Sequence, residues 1–176
     1  MRTGPPELAM SSIQNHITAK DSAYLQSLLN SKDQDEDYLA LLRGKLENAN
    51  LLLDHTVDRR VATIDSRVEI SIGGGFTEER ILTRDEKASN PGNALPITTP
   101  RGLALLGLKE GDVFPLRKPN GIIEPIKLIK VVYQPEAAKR GEEAGAVVQF
   151  QPHWKKSLGT DADMASDNDD PGPGAA

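Results

Sequence analysis

Apolar residues recur at helical spacing in two stretches near the start of the chain. The first stretch begins after Thr18, whose hydroxyl can cap a helix with Asp21 at the third position. Its apolar residues are Tyr24, Leu25, Leu28 and Leu29. Those of the second stretch alternate at intervals of three and four, as in a coiled coil, and are Leu39, Leu42, Leu46, Ala49 and Leu53. The polar segment 31–37 lies between them, so the pattern predicts a two-helix coiled-coil hairpin with an acidic tip.

After residue 60 the pattern changes to short strands. We expect a strand at Val61–Ile64, a turn or bulge at Asp65-Ser66, and a second strand at 67–72, where apolar and polar residues alternate. The three glycines at 73–75 predict a turn into a strand at 79–83. Pro96 cannot donate to a strand ladder, so the stretch around it predicts an edge strand.

A short helix and a hairpin complete this pattern. Thr99 is a candidate N-cap, Pro100 suits the first helical position, and Gly107 can end the helix in a left-handed conformation. Asn120-Gly121 predicts a tight turn between a strand at 113–116 and one at 122–133. The pattern is a helical hairpin followed by a few antiparallel strands and one short helix, which predicts an α+β fold.

Composition divides the chain further. Five Asp residues lie in a segment from residue 161 that has no Lys or Arg, and the other 21 acids equal the 21 Lys and Arg in number. The expected organisation is a flexible leader at 1–16, a helical hairpin at 17–57, a sheet domain at 58–152 and a disordered acidic tail at 153–176. The near-neutral folded part argues against a protein that binds duplex DNA by itself.

Several chemical classes lack support in the residues. The chain has no cysteine, no apolar run long enough to cross a bilayer, and no Gly-x-Ser-x-Gly motif. His16, His55 and His153 lie far apart without a second ligand at metal-binding spacing, so we expect no metal and no cofactor. The glycines at 73–75 precede no helix, which favours a hairpin turn over a phosphate loop.

The stretch 99–112, with 118–121 and 129–137, resembles the C-terminal domain of the GreA/GreB transcription elongation factors. The sequence of this stretch is most similar to that of the short Gre-like group called Rnk, the regulator of nucleoside diphosphate kinase. Segments 17–21 and 64–68 also match that group, so the resemblance covers about residues 17–138. It implies an FKBP-like sheet domain in a bacterial, cytoplasmic protein.

The resemblance also implies a partner, RNA polymerase. In Gre proteins the C-terminal domain grips the rim of the secondary channel, and the matching contact candidates here are Thr99, Pro100, Arg101 and Lys109. The expected function is regulation of elongation by a monomer that contacts DNA only indirectly. We expect no membrane partner and no sequence-specific nucleic acid.

Gre factors also carry acidic residues at the tip of a long hairpin, where they help to hold Mg²⁺ for transcript cleavage. The nearest equivalents here are Asp35, Glu36 and Asp37. A helix of about 15 residues reaches only ~22 Å, roughly half the span of a Gre hairpin. We therefore expect a solvated cluster at a helix start, with Asp35 or Asp37 as N-cap, and no enzymatic activity.

Two alternatives to this function remain open from the sequence. An FKBP-like fold could act as a peptidyl-prolyl isomerase, although the sheet domain offers mainly Phe76, Phe114 and Tyr133 as aromatic walls. The name of the Rnk group suggests regulation of nucleoside diphosphate kinase, for which no motif is present.

Overall fold

A computed structural model describes residues 13–84 and 92–145. The helices of these residues are α1 (Ala19–Leu29), α2 (Glu36–Glu47), α3 (Pro100–Leu105) and α4 (Pro135–Gly145). The strands are β1 (Asn15–Thr18), β2 (Ala49–Leu52), β3 (Arg67–Ile72), β4 (Thr77–Thr83), β5 (Ala94–Pro96), β6 (Val113–Arg117) and β7 (Ile123–Tyr133). The predicted α+β class is confirmed.

Five of the strands form one sheet in the order β5-β4-β3-β7-β6. Its two hairpins turn where the sequence predicts, and Gly73, Gly74 and Gly121 have positive φ angles of 64°, 74° and 81°. The edge strand β5 pairs parallel with β4. Strands β1 and β2 form a separate parallel pair that the sequence pattern does not predict.

Helix α3 lies at the centre of the core. Thr99 caps it by accepting a hydrogen bond from the Gly102 N–H at 3.2 Å. The last three residues of the helix, Leu103–Leu105, are fully buried. Gly107 follows with φ 81°, as predicted, and its carbonyl accepts the His16 N–H at 2.9 Å. The end of α3 is therefore joined directly to β1.

The helical pair shares this core with the sheet. Leu25 of α1 and Leu42 of α2 have no exposed surface, and they belong to the same buried cluster as Ile70 and Leu128 of the sheet. Tyr38 of α2 donates its hydroxyl hydrogen to the Ile97 carbonyl at 2.7 Å. The sequence predicts a helical region at 17–57 and a sheet domain at 58–152, whereas the described residues up to 144 form one compact unit.

The predicted seam of α2 is wrong in its C-terminal part. The helix ends at Glu47, the following residues form β2, and Leu53 is 58% exposed. The buried face of α2 consists of Tyr38, Leu42 and Lys45, at intervals of four and three residues. Leucine spacing misses this face because its last position is a lysine, which a hydrophobic pattern assigns to solvent.

Lys45 is a buried cation. Its Nζ donates to the Leu106 carbonyl and, at 3.2 Å, to Asn15 Oδ1, and it lies 5.3 Å from the centre of the Phe114 ring. Burial lowers the pKa of Lys45 to about 7, since an ammonium group loses its hydration inside the protein. Lys45 thereby connects α2 with β1 and with the end of α3.

Two further predictions differ from the structure near the sheet. The predicted leader extends too far, because Asn15 and His16 lie in β1. The predicted strand 61–64 is a buried irregular segment, whose pairing is a single bridge between Val61 and Lys109. It ends where Asp65 adopts φ 66° and the Ser66 N–H bonds to the Thr63 carbonyl, which is the predicted turn.

Residues 135–145 are polar with adjacent like charges, and they form α4, a helix that the apolar pattern does not predict. Near its start, Glu136 accepts a hydrogen bond from Thr63 Oγ1 at 2.7 Å. Asp21 of α1, which accepts from the Ile64 N–H at 3.2 Å, packs against the same segment. Burial is the main cause that raises the pKa of Asp21 to about 6, and the charge of Glu136 raises it further. Polar contacts therefore hold α4 in place, and a pattern of apolar residues cannot detect such contacts.

The predicted tail, 153–176, and residues 1–12 lie outside the described residues.

Replacing Gly102 by alanine should destabilise the protein strongly. A Cβ at Gly102 would lie 2.1 Å from the Pro96 carbonyl oxygen, so the backbone of α3 has to shift. We expect the free energy of unfolding to fall by about 3 kcal/mol in urea denaturation. The control is Gly44→Ala in α2, where an added Cβ meets nothing within 4 Å and should raise stability by up to about 1 kcal/mol. Equal stabilities would contradict the tight packing of α3.

Lys45 should make stability depend on pH between about 7 and 10. Its pKa is lowered in the folded state, so the unfolded state binds more protons in this window and the free energy of unfolding rises with pH. The slope approaches about 1.4 kcal/mol per pH unit. Urea denaturation from pH 6 to 9.5 should show this rise in the wild type and in Lys32→Met, a loop control, but not in Lys45→Met. A rise of the same size in Lys45→Met would exclude Lys45 as its source.

Candidate functional site

Arg101, a predicted contact residue, extends from the first turn of α3 towards the start of β7. Its Nε and Nη2 atoms donate to the two carboxylate oxygens of Glu124, each at 2.9 Å. Such a bidentate pair fixes the plane of the guanidinium group. The Arg101 side chain remains 45% exposed, so it presents an oriented cation to solvent.

Glu124 is the centre of this cluster. Its inward position on β7 leaves the side chain 11% exposed, and Lys118 Nζ approaches its Oε1 to 2.6 Å. The hydrogen bonds from Arg101, with a smaller contribution from Lys118, lower the pKa of Glu124 to about 2. The carboxylate is therefore ionised at neutral pH, and the trio Arg101, Glu124 and Lys118 has a net charge of +1.

Of the predicted contact residues Thr99 and Pro100, only Pro100 is free to meet a partner. The Thr99 hydroxyl donates to the Pro96 carbonyl at 2.6 Å and accepts from the Gly102 N–H. Both hydrogen-bonding functions of the hydroxyl are thus used inside the fold. Pro100 is exposed at the first helical position, beside Arg101.

Lys109 belongs to a different cluster. Its Nζ lies 3.1 Å from Asp58 Oδ2, and the same carboxylate pairs with Arg60 at 2.9 Å. The hydrogen bonds from Arg60 are the largest cause that lowers the pKa of Asp58. Glu110, the next residue after Lys109, accepts the Val131 N–H near the end of β7, whereas Glu124 lies near its start. The structure does not bring Lys109 and Arg101 together.

The acidic tip is a helix start. Asp35 is the N-cap of α2, and its Oδ1 accepts the Tyr38 N–H at 2.7 Å. Glu36 and Asp37 lie in the first turn and are exposed, where carboxylates favour the positive end of the helix dipole. Within residues 13–84 and 92–145, no group of three or more His, Asp or Glu could hold a metal ion.

The three aromatic side chains of the isomerase alternative do not form one wall. Phe76 is 99% exposed in the turn after β3, while Tyr133 pairs with Arg67 at the opposite end of that strand. Phe114 lies beside Lys45. A groove of about 490 Å³ between the end of β7 and α4 has Tyr133 as its one aromatic lining residue. An aromatic-lined pocket is thus absent from these positions.

Sequence reasoning missed Glu124 and Asp58, which hold the two predicted cations. Glu124 had a detectable signal, because it belongs to the inward-facing row of β7 together with Ile126 and Leu128. A carboxylate in an inward row predicts a cationic partner. Asp58 lies in an irregular segment and carries no comparable signal. In the part of the chain that the structure describes, no helix has the length and apolar character of a membrane span.

Comparison with known proteins identifies relatives and a similar fold. No protein-family model matches the chain. It is 31% identical over 98 residues to the "Regulator of nucleoside diphosphate kinase" of Escherichia coli K12, covering 55% of this chain and 72% of that protein. The protein of the same name from Shigella flexneri matches to the same extent. The structure of "Prokaryotic transcription elongation factor GreA/GreB from Nitrosomonas europaea" superposes with a TM-score of 0.54 at 24% identity, covering 68% of this chain and 98% of that chain.

Proposed function

The chain belongs to the family of the regulator of nucleoside diphosphate kinase, and from this premise we propose that it binds RNA polymerase and regulates transcription elongation. The proposal joins two lines of support. The fold is similar to that of a GreA/GreB factor, and the residues around α3 resemble the Gre domain that grips the polymerase. The contact is proposed at the rim of the secondary channel.

The oriented Arg101 is the observation that carries this proposal. Glu124 holds its guanidinium group in one plane while nearly half of the side chain stays exposed. A cation fixed in this way loses little conformational entropy on binding, because its rotamer is already selected. Pro100, exposed next to it, is equally rigid. Together they form a small preorganised contact point on α3.

We propose that the protein acts without cleaving RNA. Helix α2 has 12 residues and is therefore only about 18 Å long. Both helices of the hairpin pack into the core of the sheet, so the acids at its tip do not extend away from the protein. Asp35 is already committed to capping α2. A Mg²⁺ site deep in a channel requires a longer arm.

The remaining features of the proposal follow the family resemblance. We propose an FKBP-like arrangement of the sheet around α3, a short coiled-coil-like pairing of α1 and α2, and a monomeric protein in the cytoplasm. DNA contact would be indirect, through the polymerase.

Arg101→Glu should weaken retention on immobilised core RNA polymerase about tenfold, since it reverses an interface charge. This change also breaks the pair with Glu124, so Glu124→Gln is the informative control. It removes the same ion pair but keeps the Arg101 cation, and retention should stay within about twofold of the wild type. Arg43→Glu, an equal charge change on the exposed side of α2, should have no effect.

Absence of wild-type retention would overturn polymerase binding. The second candidate, regulation of nucleoside diphosphate kinase, rests on the name of the relatives and would then take precedence. Equal losses in Arg101→Glu and Glu124→Gln would assign the effect to the ion pair and would contradict a direct contact of Arg101.

Addition of the protein to a stalled, backtracked elongation complex should leave the transcript uncut. Gel analysis of the labelled RNA with Mg²⁺ present, and with a cleavage factor as positive control, measures this. A variant with Glu36→Gln and Asp37→Asn should behave like the wild type. If the wild type cleaved the transcript and this variant did not, the acidic tip would be catalytic and the proposal would be wrong.

A further inference from the structure

The outer face of the β6–β7 hairpin combines exposed apolar side chains with cations and carries no acid. Burial alternates along β6 and along residues 123–128 of β7, so every second residue in these stretches points away from the core. The outward residues form three cross-strand pairs, which are Val113 with Lys127, Pro115 with Pro125, and Arg117 with Ile123. We call these six residues the outer face. It lies on the opposite side of the hairpin from Glu124 and Arg101.

The apolar part of the outer face is open to solvent. Val113 is 44% and Ile123 is 49% exposed, and both prolines are exposed between them. None of the described helices covers these residues. Proline loses no side-chain rotamer entropy on burial, so a central pair of prolines favours binding.

The charges of the outer face are uncompensated. Arg117 and Lys127 are exposed, and neither forms an ion pair with another described residue. They occupy diagonally opposite corners of the outer face, because Arg117 pairs with Ile123 and Lys127 with Val113. Four residues of strand separate the two ends, a distance of about 13 Å. A partner must therefore offer an apolar centre and two separated anions.

The shape of the outer face selects a helix over a strand. Pro115 lacks an N–H in the middle of the edge strand β6, which disfavours the addition of another strand at that edge. Two adjacent strands with their side chains offer a width of about 10 Å, which matches an α-helix. Nine helical residues span about 13.5 Å and make two and a half turns, so acids nine positions apart lie on opposite flanks.

We propose that the outer face is a docking site for an acidic amphipathic helix of a partner protein. Its apolar stripe covers Val113, Ile123 and the two prolines. One carboxylate on each flank, nine residues apart, pairs with Arg117 and Lys127. This site is independent of the proposed polymerase contact, because it uses the other side of the hairpin.

The test is a titration of the full-length, ¹⁵N-labelled protein with a helical peptide of about 16 residues, long enough to form the required turns. The peptide has a leucine stripe and two Glu nine positions apart, and the comparison peptide has Lys at those two positions. We expect saturable amide shifts at Val113, Ile123 and Lys127 with the acidic peptide and none with the basic one. Affinity should fall with added salt.

The double variant Arg117→Glu/Lys127→Glu should lower the affinity for the acidic peptide about tenfold or more. Arg43→Glu/Lys139→Glu, the same charge change at exposed positions on α2 and α4, should not. Binding of the basic peptide with equal affinity would reduce the site to a non-specific apolar patch and overturn the proposal. Absence of saturable shifts, or shifts that change with protein concentration alone and so reveal pairing of two copies, would overturn it as well.

Discussion

The junction at Leu106 and Gly107 is the constraint on which the rest of the structure depends. Three segments meet there: Lys45 of α2 donates to the Leu106 carbonyl, the His16 N–H of β1 donates to the Gly107 carbonyl, and the Gly107 N–H donates to the Ala62 carbonyl. A side chain at Gly107 would be strained at φ 81° and would meet the His16 backbone at 3.1 Å. The helices and the sheet therefore fold as one body around the end of α3.

This junction shapes the function that we propose. Because Lys45 and Tyr38 fix α2 to the residues around α3, the acidic start of α2 stays close to the sheet. Within the described residues, the helical pair consequently forms no extended arm. Arg101 in turn derives its fixed geometry from Glu124 on β7, so the cation is part of the same rigid unit.

The β6–β7 hairpin offers two different faces to partners. Its inner row holds Leu116, Glu124 and Ile126, and the carboxylate there pairs with one cation from α3 and one from the turn. Its outer row has apolar residues and cations without a carboxylate. A period of two residues is enough to separate these surfaces, so the two contacts that we propose can form on one hairpin at the same time.

The sequence by itself determined the local structure where physical signals are strong. The cap at Thr99, the left-handed Gly107, the glycine turns and the alternation in β3 follow from backbone sterics and strand period, and the structure has them where predicted. Family membership also followed from the amino-acid sequence around α3.

Only the tertiary structure decided which polar residues are buried. Lys45, Asp21 and Glu136 look like solvent positions in a pattern, yet each is buried because a distant backbone or hydroxyl group bonds to it. For the same reason, the parallel pairing of β1 with β2 and the placement of α4 depend on contacts that no local spacing encodes.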